Sequence, residues 1–328
     1  LLHPDYKTQP VIQKLQASTK HLFYSPGRFT GDFYGTGWAY DDYNEYYQPD
    51  MGELPVMGNV IRFRNLNGQL ASNLKPQFFS LQADSLNRSR KYSLKRDFAS
   101  NTFLKPLAPM PTIYSQEVPF KYTTELSLAV LSDTLKKPVA LAQFPLPATG
   151  VKTWYSSPRD SVFKRMLLPS DNFLAEQLLL TYAAENGLEM NAHAVIAHAQ
   201  KLYLATLPDK PQWVDGSGLS RQNLFTPRTM VKLCELIYRE FPNREAALFD
   251  LLPQGGKTGT IRNYFKADKP FVFAKTGSLS NNVNLSGYLI TRKGKRLAFS
   301  FMNNNYTQPT VEIRKEMDRI LTAIYNDF

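Results

Sequence analysis

The sequence predicts an α+β chain, and three observations carry that prediction. Phe271-Val272-Phe273-Ala274 runs straight into Lys275-Thr276-Gly277-Ser278. Two further strand-like runs follow, Asn284–Thr291 and Arg296–Met302, with a tight turn at Lys293-Gly294 between them. That makes three strands in succession, the arrangement of an antiparallel sheet. From about residue 150 the texture changes to longer helical runs with sharper turn signals. Before that point the chain mixes short strand-like pieces with turns and one apolar helix. The expected organisation is therefore a mixed region over 1–150 and a sheet-and-helix domain over 151–328.

The bulk properties bound the function loosely. A chain of 328 residues has room for two or three domains and a substantial core. An aromatic fraction of 13% excludes a disordered chain. The net charge of +11 suits either nucleic acid or an anionic envelope polymer. The basic residues are scattered, and no zinc-ligand set or RNA-binding signature accompanies them, so no nucleic-acid partner is expected. No transmembrane span or signal peptide is visible. A start at Leu1-Leu2-His3-Pro4 is expected of a processed or truncated piece of a longer protein.

Taken in order, Val11–Leu15 is a short helical pattern, followed by the strand-like Leu22-Phe23-Tyr24 and the turn signal Ser25-Pro26-Gly27. Ser18-Thr19-Lys20 is one residue short of a Ser-x-x-Lys pair, and at that spacing the two side chains cannot share a helix face. Gly35–Tyr47 interleaves aromatics with acids. A rigid connection packed by its own rings is the favoured reading, against an aromatic platform for sugar or peptide. Val60–Phe63 and Phe78–Leu81 are strand-like. The basic segment Asn87–Lys91, continued by Lys95-Arg96, reads as a solvated face, with a surface for an anionic partner as the alternative. Over 122–136, Leu126, Leu128, Ala129, Leu131 and Leu135 mark a helix that Lys136-Lys137-Pro138 ends.

In the second half, Ser161–Leu168 is a short amphipathic helix and Phe173–Tyr182 a longer one that Gly187 could cap. Between them stands Ser170-Asp171-Asn172. Ser170 or Asp171 is a good N-cap, which accounts for one polar residue better than for three in a row. Val214–Leu224 is a glycine-spaced loop, and Thr226-Pro227 opens a helix through Phe241. Gly216-Ser217-Gly218 fails the spacing of a nucleophile elbow. The single Cys234 lies in an apolar helical run and reads as a buried structural thiol. His193 and His198 are five apart, so they do not form a zinc pair on one helix face. Residues 311–326 close the chain as an amphipathic helix with Ile313, Met317, Ile320, Leu321 and Ile324 on one face.

Lys275-Thr276-Gly277 on an edge strand is chemically suggestive. The ammonium supplies positive charge, the Thr hydroxyl can bond a carboxylate, and a glycine lets substrate lie close against the strand. Alone the tripeptide is weak, because Lys257-Thr258-Gly259 repeats it within a glycine cluster that reads as loop. Paired with Ser170-Asp171-Asn172 about a hundred residues upstream, it resembles the second and third motifs of penicillin-recognising serine acyl enzymes. The stretches Ser170–Leu178, Asp215–Arg221, Ala274–Ser280 and Gly37–Asp42 together look like the D-alanyl-D-alanine carboxypeptidases of the penicillin-binding protein 4 type.

The resemblance implies a serine β-lactamase/transpeptidase-like antiparallel sheet flanked by helices, with an inserted mixed domain. It implies a penicillin-binding enzyme of the periplasm or cell envelope that hydrolyses D-Ala-D-Ala stem peptides of peptidoglycan by acyl transfer. Peripheral association with the envelope is compatible with it, and no metal or cofactor is implied. Ser170, Asn172 and Lys275 would be catalytic. Ser170 would relay the proton, Asn172 would hold the substrate amide, and Lys275 would set the field. Thr276, Gly277 and Ser278 would bind substrate. The nucleophile of the resemblance is a Ser-x-x-Lys serine, expected upstream of Leu1. Of the internal matches, Ser72–Lys75 is followed by Pro76, and Ser161–Lys164 lies in the helix leading to Ser170. A catalytically inactive binding or scaffolding protein of the envelope is the alternative.

Overall fold

The computed structural model describes residues 1–6, 9–87, 89–143 and 149–328. The chain divides into two compact units, one of residues 1–157 with 176–191, the other of 158–175 with 192–328.

The first unit starts with α1 (Pro10–Ala17) and β1 (Leu22–Tyr24). Lys137 fastens the end of α1, because its ammonium donates to the carbonyls of Leu15, Gln16 and Ser18, which a helix C-terminus leaves unpaired. Strands β2 (Val60–Leu66), β3 (Gln69–Ser72) and β7 (Ser115–Pro119) form one sheet in the order β3-β2-β7. Strands β4 (Ser80–Asp84), β5 (Lys95–Arg96) and β6 (Thr102–Pro106) form another in the order β4-β6-β5. Ile61, Phe63, Leu94, Phe103, Val118 and Phe120 make a common core. Helix α2 (Thr124–Leu135) lays Val130 on it, and β8 (Val139–Leu141) runs parallel to β1. The helix expected over 122–136 is thus present: Thr123 accepts from the Leu126 N–H at its start, and Lys136 turns into the left-handed region at its end.

Two expectations for this unit are revised. Arg88 lies outside the described residues, and Arg90, Lys91 and Lys95 are exposed as a solvated face requires, but Arg96 is only 1% exposed. Its guanidinium donates to the carbonyls of Pro119, Asp97, Phe98 and Ser100 and lies over the Tyr43 ring. Five donors in a rigid fork can satisfy several backbone acceptors at once, so this arginine pins loops rather than facing water. The aromatic stretch is packed partly by its own rings, with Tyr34 against Trp38 and Tyr46 against Tyr47. Tyr43 is held by Phe98 from elsewhere in the chain.

The second unit holds α3 (Arg159–Leu167), the opening of α4 (Asn172–Glu185), α5 (Ala192–Leu202), α6 (Pro227–Arg239) and α7 (Glu245–Leu251). An antiparallel sheet follows, built from β9 (Val272–Leu279), β10 (Asn282–Ile290) and β11 (Arg296–Asn304) in the order β11-β10-β9. Helix α8 (Thr310–Asp327) ends the chain. Both sheet turns use the left-handed region, at Asn281 and at Gly294.

Alternation along the strands sends successive side chains to opposite faces. Val272, Ala274, Val283, Leu285 and Leu289 pack with Met317 and Leu321 of α8. Phe273 and Tyr288 face the other way, onto Cys234 of α6 and Phe249 of α7. Cys234 is buried as expected, and its backbone carbonyl accepts the Tyr288 hydroxyl at 2.7 Å. Burial pushes its thiol up to about 11, so it is inert. Gly287 is required where β10 crosses β9: a Cβ there would stand 2.3 Å from the Phe273 carbonyl oxygen.

Candidate active site

Three segments of the second unit build the site. The first is the connection from α3 to α4. The Asp171 carboxylate accepts the Leu174 N–H at 2.9 Å and so caps α4, leaving Asn172 as its first residue. Asp171 is also paired with Arg165 at 3.4 Å. To make this tight link, Ser170 takes φ 65°, the left-handed region that a serine rarely occupies. Of the two N-cap candidates, Asp171 does the capping. That frees Ser170, and the strained backbone turns its side chain toward the sheet.

The second segment is the β9 edge. Its first half is closed: the Ala274 N–H donates to the Pro253 carbonyl at 3.0 Å, and the Gly255 N–H donates to the Val272 carbonyl at 2.9 Å. Beyond Lys275, no backbone group among the described residues continues that pairing. Antiparallel strands alternate their backbone groups between the two sides. Since Ala274 points outward, Thr276 and Ser278 do so too. The open edge therefore offers the Thr276 N–H and both backbone groups of Ser278 to an added strand, while the Thr276 carbonyl is engaged by the Lys275 ammonium.

Side-chain alternation sorts the motif at the same time. Lys275 shares a face with Phe273, and Thr276 and Ser278 share the α8 face with Val272 and Ala274. The Lys275 ammonium donates to Ser170 Oγ at 2.6 Å and to the Thr276 carbonyl at 2.5 Å. Loss of hydration lowers its pKa to about 8. Gly277 is exposed, and nothing lies within 4 Å of where its Cβ would be, so the strand is approachable there.

The third segment is the glycine-rich link with the second Lys-Thr-Gly. It is a loop, as expected, running into a single 3-10 turn at Gly259–Ile261. Its role was not legible, however. Thr260 accepts the Thr276 hydroxyl at 2.8 Å, and Pro253 to Gly255 close half of the edge. Two arginines were also missed. Arg314 of α8 donates to Ser278 Oγ at 3.2 Å, and Arg221 donates to the Ser280 carbonyl at 3.0 Å. Arg221 lies in a loop organised by buried Asp215, which accepts from Gly218, Ser220 and Asn223. Loop Gly spacing hinted at that platform; nothing in the helix pattern of residues 311–326 marked Arg314.

The structure brings together Ser170, Lys275, Thr276, Gly277 and Ser278, and Asn172 follows two residues after Ser170. The lysines of the two internal Ser-x-x-Lys matches are both held by carboxylates. Lys75 is bound by Asp133, and Ser72 at the end of a strand donates to the Leu74 carbonyl. Lys164 is bound by Asp250 at 2.7 Å.

Comparison with known proteins identifies the family. Residues 112–324 match the model of the D-Ala-D-Ala carboxypeptidase 3 (S13) family. The chain is 30% identical over 183 residues to the D-alanyl-D-alanine carboxypeptidase DacB of Haemophilus influenzae, covering 53% of this chain and 37% of the relative. It is 30% identical over 167 residues to the carboxypeptidase DacB of Mycolicibacterium smegmatis, covering 48% and 36%. The matches thus span well under half the length of these relatives. Among solved structures, penicillin binding protein 4 from Haemophilus influenzae superposes with a TM-score of 0.73 at 21% identity, covering 93% of this chain and 75% of that one. The α+β fold is shared.

Proposed function

Because the chain belongs to the D-Ala-D-Ala carboxypeptidase 3 (S13) family, we propose that it is part of a serine-type D-Ala-D-Ala carboxypeptidase or endopeptidase of the cell envelope. Its substrate is the peptidoglycan stem peptide, and β-lactams acylate it. Residues 151–328 supply the transpeptidase-like domain and 1–150 the insertion. The observation that carries this reading is the 2.6 Å bond between Lys275 and Ser170 beside a half-open strand edge.

The chemistry is acyl transfer. A serine hydroxyl, activated by its own lysine, attacks the carbonyl of the penultimate D-Ala. In this reading that serine lies outside the 328 residues, since Lys75 and Lys164 are each engaged by a carboxylate. The peptide lies along β9 as an added strand, and the outward N–H of Ser278 helps to hold the developing oxyanion. Asn172 holds the substrate amide. The tetrahedral intermediate collapses, the C–N bond breaks, and the terminal D-Ala amine takes its proton through Ser170, which the Lys275 ammonium orients. Thr276 and Ser278 bond the terminal carboxylate. Water then attacks the ester, returning the serine and releasing the shortened peptide. Crosslink cleavage is the same reaction on a longer leaving group.

The deciding measurement is intact mass after incubation with benzylpenicillin, on this chain and on the full-length protein. Acylation of the full-length protein alone supports the reading. Labelling of this chain moves the nucleophile into it, and the modified peptide identifies it. If neither is labelled, the enzyme reading fails and an inactive envelope-binding protein takes its place.

A further inference from the structure

The first unit holds a groove that the reading above does not use. Its volume is about 660 Å³, and it is lined by the β2-β3 hairpin, by Tyr92 and by the segment 105–110. The floor is apolar. Leu70 and Met110 pack against the core of this unit, and Tyr92 is only 5% exposed. The Tyr92 hydroxyl has no hydrogen-bond partner among the described residues. The groove is preformed: Asn65 donates to the Pro111 carbonyl and accepts the Gly68 N–H, each at 2.8 Å, so one amide ties the hairpin to the chain opposite.

One wall is an open sheet edge. β3 is the outer strand in the order β3-β2-β7. The Asn65 N–H donates to the Tyr114 carbonyl at 3.1 Å, so Asn65 turns away from β3. Leu70 stands opposite Asn65 in the register and turns its own N–H and C=O outward. Ser72, two residues on, does the same. Among the described residues nothing bonds these groups, and an unpaired edge accepts an extended chain.

Charge selects which chain. Lys105 is exposed on the rim and forms no ion pair among the described residues. Arg90 and Lys91, just before Tyr92, are exposed as well. Residues 60–121 contain ten lysines and arginines against three carboxylates, so an acidic partner is drawn to this lobe and a basic one repelled. A sugar could rest on the apolar floor but would leave the open backbone of Leu70 unused.

We propose that this groove is a docking site for an extended acidic segment of a partner protein. The segment pairs with β3 through its backbone, seats an apolar side chain on Leu70 and Met110, and sets a carboxylate against Lys105. The proposal does not depend on the catalytic reading.

The test is fluorescence anisotropy of a labelled hexapeptide that alternates valine and glutamate, titrated with the full-length protein. Saturable binding is expected. The same peptide methylated on every backbone nitrogen keeps its side chains and charge but cannot donate to β3, and should bind at least roughly tenfold more weakly. Lys105→Glu should weaken the parent peptide by roughly tenfold, and Lys20→Glu, an equal change of charge outside the groove, by less than about twofold. No saturable binding overturns the proposal. So does equal binding of the methylated peptide, or equal loss in the two lysine variants, since either means unspecific attraction by charge. Displacement of the peptide by an uncharged chitooligosaccharide would make the groove a sugar site instead and would also overturn it.

Discussion

Lys275 allows the sharpest test, since its position can be converted into a stability curve. Its pKa is lowered from an ordinary 10.5 to about 8 by loss of hydration. Between those values the folded chain binds fewer protons than the unfolded chain, so stability rises with pH across that window. Below pH 8 the charge is carried in full, at a cost of up to about 3 kcal/mol for a shift of that size. Lys275→Met removes the charge but leaves Ser170 Oγ and the Thr276 carbonyl without their donor, a loss of about 1–3 kcal/mol. At pH 7 the two effects nearly offset. At pH 10 most of the cost is already gone from wild type, so the variant should be less stable there. Relative to wild type it should lose about 2–3 kcal/mol between pH 7 and pH 10. The assay is urea unfolding followed by tryptophan emission in a Trp38→Phe, Trp154→Phe background, so that Trp213 reports the second unit. Taking the difference between variant and wild type cancels every other titrating group. A difference that does not change with pH would mean that Lys275 titrates normally, and the account of its burial would be wrong.

Three further outcomes follow from the same structure. Ser170→Gly should relax the left-handed backbone and match or exceed the stability of Ser170→Ala, by up to about 1 kcal/mol, while both abolish turnover; thermal melts rank them, and a more stable alanine variant would show that the turn is not strained. Gly287→Ala puts a methyl 2.3 Å from the Phe273 carbonyl oxygen, and prying β10 from β9 should cost about 3 kcal/mol, measured by urea midpoint. Native Cys234 should resist a thiol reagent at pH 8 and react at once in denaturant; rapid labelling of the native chain would contradict its burial under Tyr288.

Much of this was legible because the relevant signals are local. The sheet followed from three strand-like runs and the turn at Lys293-Gly294, α2 from its leucine spacing, and α8 from the apolar face of Ile313, Met317, Ile320, Leu321 and Ile324. The Ser170 and Lys275 segments stood out because polar triplets are unusual at helix starts and strand ends. Three kinds of information were hidden. Arg96 belongs to a basic run, and its burial depends on the carbonyls of the loop that follows it together with the Pro119 carbonyl and the Tyr43 ring, both distant in sequence. The short strands β3 and β5 to β7 carry weak periodicity and owe their form to partners across the core. Thr260 and Arg314 become part of the site only because the chain returns to β9 from a glycine-rich loop and from the last helix. No pattern within either segment points to a strand elsewhere.

The edge of β9 explains why one strand can do two jobs. A strand that ends a sheet invites pairing with any extended chain, and proteins usually guard against it. Here Pro253 and Gly255 close the strand as far as Ala274, and pairing stops where the candidate site residues begin. The backbone that remains open is short, so under the proposed function specificity would come from side chains. Their alternation divides the work: Lys275 turns to Ser170 on one face, and Thr276 and Ser278 turn to Thr260 and Arg314 on the other. A one-residue slip of β9 against β10 would exchange these faces and separate every pair at once. Gly287 opposes such a slip, because it is the one residue of β10 that can lie against Ala274, and any neighbour moved into its place would bring a Cβ onto the Phe273 carbonyl. The glycine that looks like a packing detail therefore fixes the register on which both halves of the site depend.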